Sequence, residues 1–225
     1  MSHHYSLIIL VTLFSCSTFD EPVYKRAKNV SVAGSVKKVM KKKDFTDVIS
    51  LDTVEEKVGL YGLGLNQNGH GEVMILNGKI FKSICQNDCM VVSQSEGLVS
   101  PFLVYGMQTR WRKLPVPPET STMESMQVFL DSLGQDLPRP FIFKLEGTAV
   151  DAALHVKMKN EEQMDLRLSD RKVEILGLFS IEDEGLITHH DAYIHAHIMT
   201  ADQRIMGHLD SLVLADAGVW LPVQN

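Results

Sequence analysis

The chain is poor in cysteine, in long apolar runs and in the short motifs of several large enzyme classes. Three cysteines occur among 225 residues, too few to staple a small domain and without the two pairs that a four-sulfur zinc site needs. No stretch reaches the roughly 18 uncharged apolar residues of a membrane-spanning helix. Proline and glycine stand at ordinary levels, 8 and 15 residues, which excludes collagen and low-complexity disorder. A Gly-rich phosphate loop, a Gly-x-Ser-x-Gly elbow and a Cys nucleophile arrangement are all missing. Nucleotide chemistry and the usual covalent hydrolases therefore have no support.

What is present suffices for a fold. With 44% hydrophobic and 22% charged residues, the chain can bury the core of one domain or two small ones. The net charge of −6 is unevenly spread: residues 16–43 hold eight Lys/Arg against two Asp/Glu, and residues 44–225 hold fourteen against twenty-six. A body that acidic repels phosphate backbones, so nucleic acid is not expected as a partner. The basic stretch Lys37-Lys38…Lys41-Lys42-Lys43 reads as a solvated linker or helix face, with attraction to an anionic membrane surface as the alternative.

Residues 1–15 carry no charge, and Leu7-Ile8-Ile9-Leu10-Val11 has the length of an export signal's apolar core. Leu13-Phe14-Ser15-Cys16 resembles a bacterial lipoprotein signal, which implies a lipid anchor at Cys16 and a cell-envelope location. Ordinary secretion and a buried N-terminal strand are the alternatives. Cys85 and Cys89, separated by three polar residues, suit the flanks of a short hairpin loop, where a bridge would pin the turn.

Residues 16–46 read as a polar, basic tether containing a candidate helix at Val36–Lys43, and Asp52–Lys57 suits a second short helix. Strand patterns follow. Glu72–Leu76 and Lys79–Lys82 flank Asn77-Gly78, a strong hairpin signal because both turn positions want positive φ. Phe102–Arg112 alternates as one strand, and Ser121/Thr122 with Glu124 open a helix to Leu133. Phe141–Leu145, Ala149–Met158, Val173–Ser180, Tyr193–Thr200 and Arg204–Leu214 read as further strands. The expected class is a sheet-dominated α/β protein of two tightly packed mixed-sheet subdomains, 47–135 and 136–225, with few helices.

Five of the nine histidines lie between 189 and 208. His195 and His197 are two apart, so on a strand both rings project from one face. If Ala201 pairs with Arg204, opposed positions sum to 405 and His208 lies across from His197. The other face then carries Ile194, Ala196, Ile198, Ile205, Gly207 and Leu209, and a one-residue slip would reverse the two faces. Three neutral imidazoles are the ligand set of an open zinc site, and other divalent transition metals accept the same donors. His189 and His190 read as a solvated loop.

These residues resemble acetolactate decarboxylase. The likeness runs from about Val48 to Asp210 and rests on Gly71-Glu72-Val73-Met74-Ile75-Leu76-Asn77-Gly78-Lys79, on Phe143-Lys144-Leu145-Glu146-Gly147-Thr148, and on the His-x-His with a third His eleven residues later. The resemblance implies a two-domain α/β fold, zinc on His195, His197 and His208, a catalytic glutamate at Glu72, and conversion of 2-acetolactate to acetoin and carbon dioxide. The implied partner is a small keto acid, and a homodimer is left open. Two positions depart from the family pattern. Its arginine after the Gly-Thr falls at His155, with Lys157 on the same strand face, and its second acid in a C-terminal extension has no counterpart. A non-catalytic zinc-binding or ligand-sensing protein on the same scaffold is therefore the alternative, and another lyase or hydrolytic reaction at the metal is a third.

Overall fold

The computed structural model describes residues 24–27, 30–51, 58–87, 89–158, 162–188 and 192–223. The export signal, Cys16, the helix expected at Asp52–Lys57, and His189 and His190 lie outside the described residues. Fourteen strands and two α-helices form the described part, so sheet dominates as expected.

The first sheet is built from β1 (Tyr24–Ala27), β2 (Val30–Ala33), β4 (Leu60–Leu65), β5 (Glu72–Leu76), β6 (Lys79–Gln86), β7 (Cys89–Ser95) and β9 (Leu103–Met107). Its order is β1-β2-β9-β4-β5-β6-β7. Helix α1 (Val36–Lys42) follows β2, and β3 (Ile49–Ser50) pairs separately with β8 (Val99–Ser100). The second sheet contains β10 (Trp111–Pro115), β11 (Phe141–Lys157), β12 (Gln163–Phe179), β13 (Ile194–Thr200) and β14 (Met206–Pro222), with α2 (Met123–Leu133) inserted after β10. Its order is β10-β14-β11-β12-β13, and β13 also pairs with β14, so four of its strands close on themselves. All strand pairings are antiparallel rather than mixed. Parallel pairs need crossovers of a dozen or more residues, and hairpin loops supply most connections here.

Local chemistry explains the elements. Asn77 and Gly78 take φ of 51° and 88° at the β5–β6 turn, the conformation such a hairpin demands. Thr122 caps α2, with Ser125 rather than Glu124 completing the capping box. Val30–Ala33 and α1, expected within a tether, are instead part of the fold: Val30, Val32, Val36 and Val39 are buried. Alternate apolar residues spaced for a strand pair with β9 once an open sheet edge is available. Phe102–Arg112, expected as one strand, divides into β9 and β10, which belong to different sheets. The Gln108 side chain ties the crossing by donating to the Arg110 carbonyl. Conversely, the two strands expected at Phe141–Leu145 and Ala149–Met158 are the single strand β11.

No disulfide joins Cys85 to Cys89. The turn is tighter than expected, so Gln86 faces Cys89 and Cys85 faces Met90. Successive residues on a strand point to opposite faces, and the two thiols therefore project apart.

Three buried clusters hold the described residues together, the third of them Leu60, Val73, Ile75, Ile80, Leu98 and Leu103. One core fills the closed second sheet under α2, with Met126, Leu130, Phe143, Ile175, Phe179 and Ile198 among its members. A second core lies between the sheets, where Leu63, Met74 and Phe102 of the first segment meet Ile142, Leu176, Leu178 and Met199. Each fully buried Leu, Ile or Phe contributes roughly 1.5–3 kcal/mol before chain entropy is counted. The His face of β13 belongs to this second core, because Met199 packs there while Ile194, Ala196 and Ile198 face the first core.

Candidate metal centre

The β13–β14 hairpin has the register expected from sequence. His197 is paired with His208, Ile198 with Gly207, and Met199 with Met206. His195 and His197 project from the face opposite Ile194, Ala196 and Ile198, and donor atoms of His195, His197 and His208 all lie within 4.8 Å of one another. Ring centroids are 5.1 Å apart for His195 and His208, and 5.5 Å for each of the other two pairs. Sequence patterning suggested a polar, open His face. The structure buries it instead: His195 is 5% exposed and His197 1%, because the first sheet covers it.

The chemistry of the donor set fits a metal ion. Nδ1 of His195 donates to the Ile187 carbonyl at 2.9 Å, which fixes the tautomer and leaves the Nε2 lone pair as a ligand. His197 has its pKa pushed down to about 3 by burial, so its ring is neutral, as a ligand must be. Its Nδ1 is buried without a well-formed hydrogen bond, and a backbone contact from Val73 opposes the downward shift. The three histidines could therefore hold one metal ion.

Glu72 reaches the same place from the other sheet. It opens β5, with Met74 and Leu76 on its face and in the core between the sheets. Gly71, at φ 91°, makes the approach: a Cβ there would sit 1.9 Å from the Ser83 carbonyl oxygen. Its amide donates to the Lys157 carbonyl at 2.8 Å, and Oε1 of Glu72 accepts from the Lys157 amide at 3.1 Å. The carboxylate is 1% exposed, with Oε2 3.6 Å from Nε2 of His197. Burial pushes its pKa up to about 7 against the opposing pull of His155 and the Lys157 amide.

His155 lies one strand beyond, paired with His208 across β11 and β14, with ring centroids 4.8 Å apart. Its Nδ1 bonds both oxygens of Asp210, at 2.8 and 3.0 Å. Asp210 was missed from sequence as a partner. The β11–β14 register runs from Leu154 opposite Leu209 to Ala153 opposite Ser211, so Asp210 is the extra residue of a bulge. A bulge re-aims a side chain in a way that simple alternation hides. Lys157 borders the same pocket, and its Nζ donates to Oε1 of Gln163 at 3.1 Å.

Glu72, His155, Lys157, His195, His197 and His208 line one pocket of about 40 Å³, together with residues of α1 that sequence did not implicate.

Comparison with known proteins places the fold. No protein-family model matches the chain, and no curated protein sequence matches it. Among solved structures, a protein of unknown function from Staphylococcus aureus, described as similar to alpha-acetolactate decarboxylase, superposes with a TM-score of 0.64 at 15% identity, over 84% of this chain and 83% of that one. Acetolactate decarboxylase from Bacillus subtilis subspecies spizizenii gives 0.64 at 16% identity, over 86% and 85%. Alpha-acetolactate decarboxylase from Bacillus subtilis strain 168 gives 0.57 at 15%, over 80% and 86%. The chain thus has the acetolactate decarboxylase-like fold, and at this identity the likeness speaks of fold alone.

Proposed function

We propose that the protein is a metal-dependent decarboxylase that converts 2-acetolactate, or a related β-keto-α-hydroxy acid, to acetoin and carbon dioxide. The observation that carries this reading is the meeting of three histidine donors with a buried carboxyl, 3.6 Å from one of them. Zinc is the first choice of metal, and other divalent transition ions suit the same nitrogens. Held by His195, His197 and His208, such an ion would supply Lewis acidity to polarise the substrate.

The chain's own residues account for the other needs of the reaction. Losing carbon dioxide leaves a carbon that must be protonated on one face. Glu72, buried beside the histidines, is placed to carry that proton at a fixed carboxyl oxygen, a role worth roughly 10²–10⁴-fold. The departing carboxylate needs a cationic or donor partner. His155, oriented through Nδ1 by Asp210, presents Nε2 for that contact when it is an imidazolium. Lys157, at the pocket edge, adds positive charge.

The test is incubation of the zinc-loaded protein with 2-acetolactate, following acetoin and carbon dioxide against the spontaneous rate. Turnover that disappears in His195→Ala supports the proposal. Bound metal with acetoin no higher than background would overturn it in favour of a binding or sensing role.

A further inference from the structure

The pocket is unusually small, and α1 forms part of its apolar lining. Its volume is about 40 Å³, against roughly 300–1,000 Å³ for ordinary small-molecule sites. The histidines and Glu72 form its polar side. Val36, Val39 and Met40 of α1 join Gly64, Leu65 and Phe102 in its apolar lining. Val36 and Val39 are buried and Met40 is half-buried, while Lys37, Lys41 and Lys42 are exposed on the outer side. The lysine run singled out in the sequence is thus the solvated face of a helix whose apolar face closes the site.

The helix depends on its attachments. Seven residues are too few to be stable alone in water. Ser35 caps the helix, accepting from the Lys38 amide at 3.1 Å. The Val36 and Lys37 amides bond the carbonyls of Leu186 and Gly185 at 3.1 and 2.8 Å. The two central roof side chains differ in stiffness. Val39 is β-branched and rigid at χ1, whereas Met40 has three rotatable bonds and fills whatever gap is left.

Building on the active-centre reading above, we infer that α1 sets the size of the substrate, with Met40 and Val39 as its specificity-determining side chains. The filter acts on the apolar substituents of the hydroxy-keto acid named above. A longer chain meets Met40 before its carbonyl reaches the histidines. One misplaced methylene in an apolar pocket commonly changes kcat/KM by 10–200-fold, so truncating Met40 should shift preference by about tenfold towards the larger substrate.

Two measurements on the full chain test this. The first needs neither metal nor turnover: the metal-free protein is treated with dimethyl or diethyl pyrocarbonate, and acylation of each histidine is followed by mass spectrometry. The wild type should disfavour the larger reagent at His195 and His208 more than at His70. Met40→Ala should diminish that discrimination several-fold, Met40→Phe should sharpen it, and Lys41→Ala, on the outer face, should leave it unchanged. Equal discrimination in all four proteins overturns the inference. The second compares kcat/KM for 2-acetolactate and its ethyl homologue. A tenfold shift towards the homologue in Met40→Ala, reversed in Met40→Leu, supports α1 as the size filter, and an unshifted ratio overturns it. If labelling responds as expected but no variant makes acetoin, the decarboxylase reading fails while the roof stands.

Discussion

His195 donates from Nδ1 to the carbonyl of Ile187 at 2.9 Å, and the two residues before Ile187 accept from the first turn of α1. One short turn therefore orients a candidate metal donor and anchors α1 beside it. The turn is itself fixed by the Asp183 carbonyl, which accepts from the Leu186 and Ile187 amides, and by the Asp183 carboxylate, buried and bonded to the Ser180 hydroxyl at 2.7 Å.

Metal content is the first prediction. The purified protein should carry up to one transition ion per chain, and each of His195→Ala, His197→Ala and His208→Ala should lower its metal affinity by at least about tenfold, since three-ligand sites tolerate no loss of a donor. Elemental analysis after dialysis against a metal buffer measures this. Wild-type occupancy in the triple alanine variant would refute the site.

Glu72 predicts a pH dependence of stability in the metal-free protein. Its folded pKa, about 7, lies above the unfolded value of 4.5. The folded state thus binds the proton more tightly, and the associated stability is present below pH 4.5 and lost as pH rises through 7. At about 1.4 kcal/mol per unit the loss is on the order of 3 kcal/mol. Denaturant unfolding of the wild type and Glu72→Gln at pH 5 and pH 8 should show the gap moving in favour of Gln at the higher pH. A constant gap argues against the raised pKa.

His197 acts in the opposite sense. Its folded pKa, near 3, lies below the ordinary 6.5, so its contribution is present above pH 6.5 and lost on acidification towards 3. Replacement by Gln should flatten the acid limb of the metal-free stability profile. An acid limb as steep as the wild type's would show that the ring is not buried and neutral.

Asp210 orients His155 and is the test of the carboxylate-binding assignment. Asp210→Asn keeps the shape but removes the charged acceptor. Under the proposed reaction, kcat/KM for 2-acetolactate should fall about tenfold or more with KM raised, while metal content stays unchanged. Loss of metal together with activity would reassign Asp210 to the metal site.

Gly71→Ala should be strongly destabilising, by roughly 2 kcal/mol or more, since a methyl group meets the Ser83 carbonyl and the backbone sits at positive φ. Thermal unfolding reports it directly. A variant as stable as the wild type would mean that the Glu72 strand can shift without cost.

Short-range pattern carried much of this protein. The His195/His197 spacing, the polar residues of the 201–204 turn and the aliphatic alternation on the reverse face determine a register that puts His208 opposite His197, because strand periodicity is two and a slip exchanges the faces. Asn77-Gly78 likewise determines the hairpin that begins with Glu72. Tertiary structure decided what lies over that face. The burial of His195 and His197 follows from a second sheet packing on them, the reach of Asp210 to His155 from a bulge, and the closure of the pocket from a helix more than 150 residues away in sequence. Each depends on which surfaces meet, and contact between distant segments is set by the total packing of apolar area rather than by any local spacing.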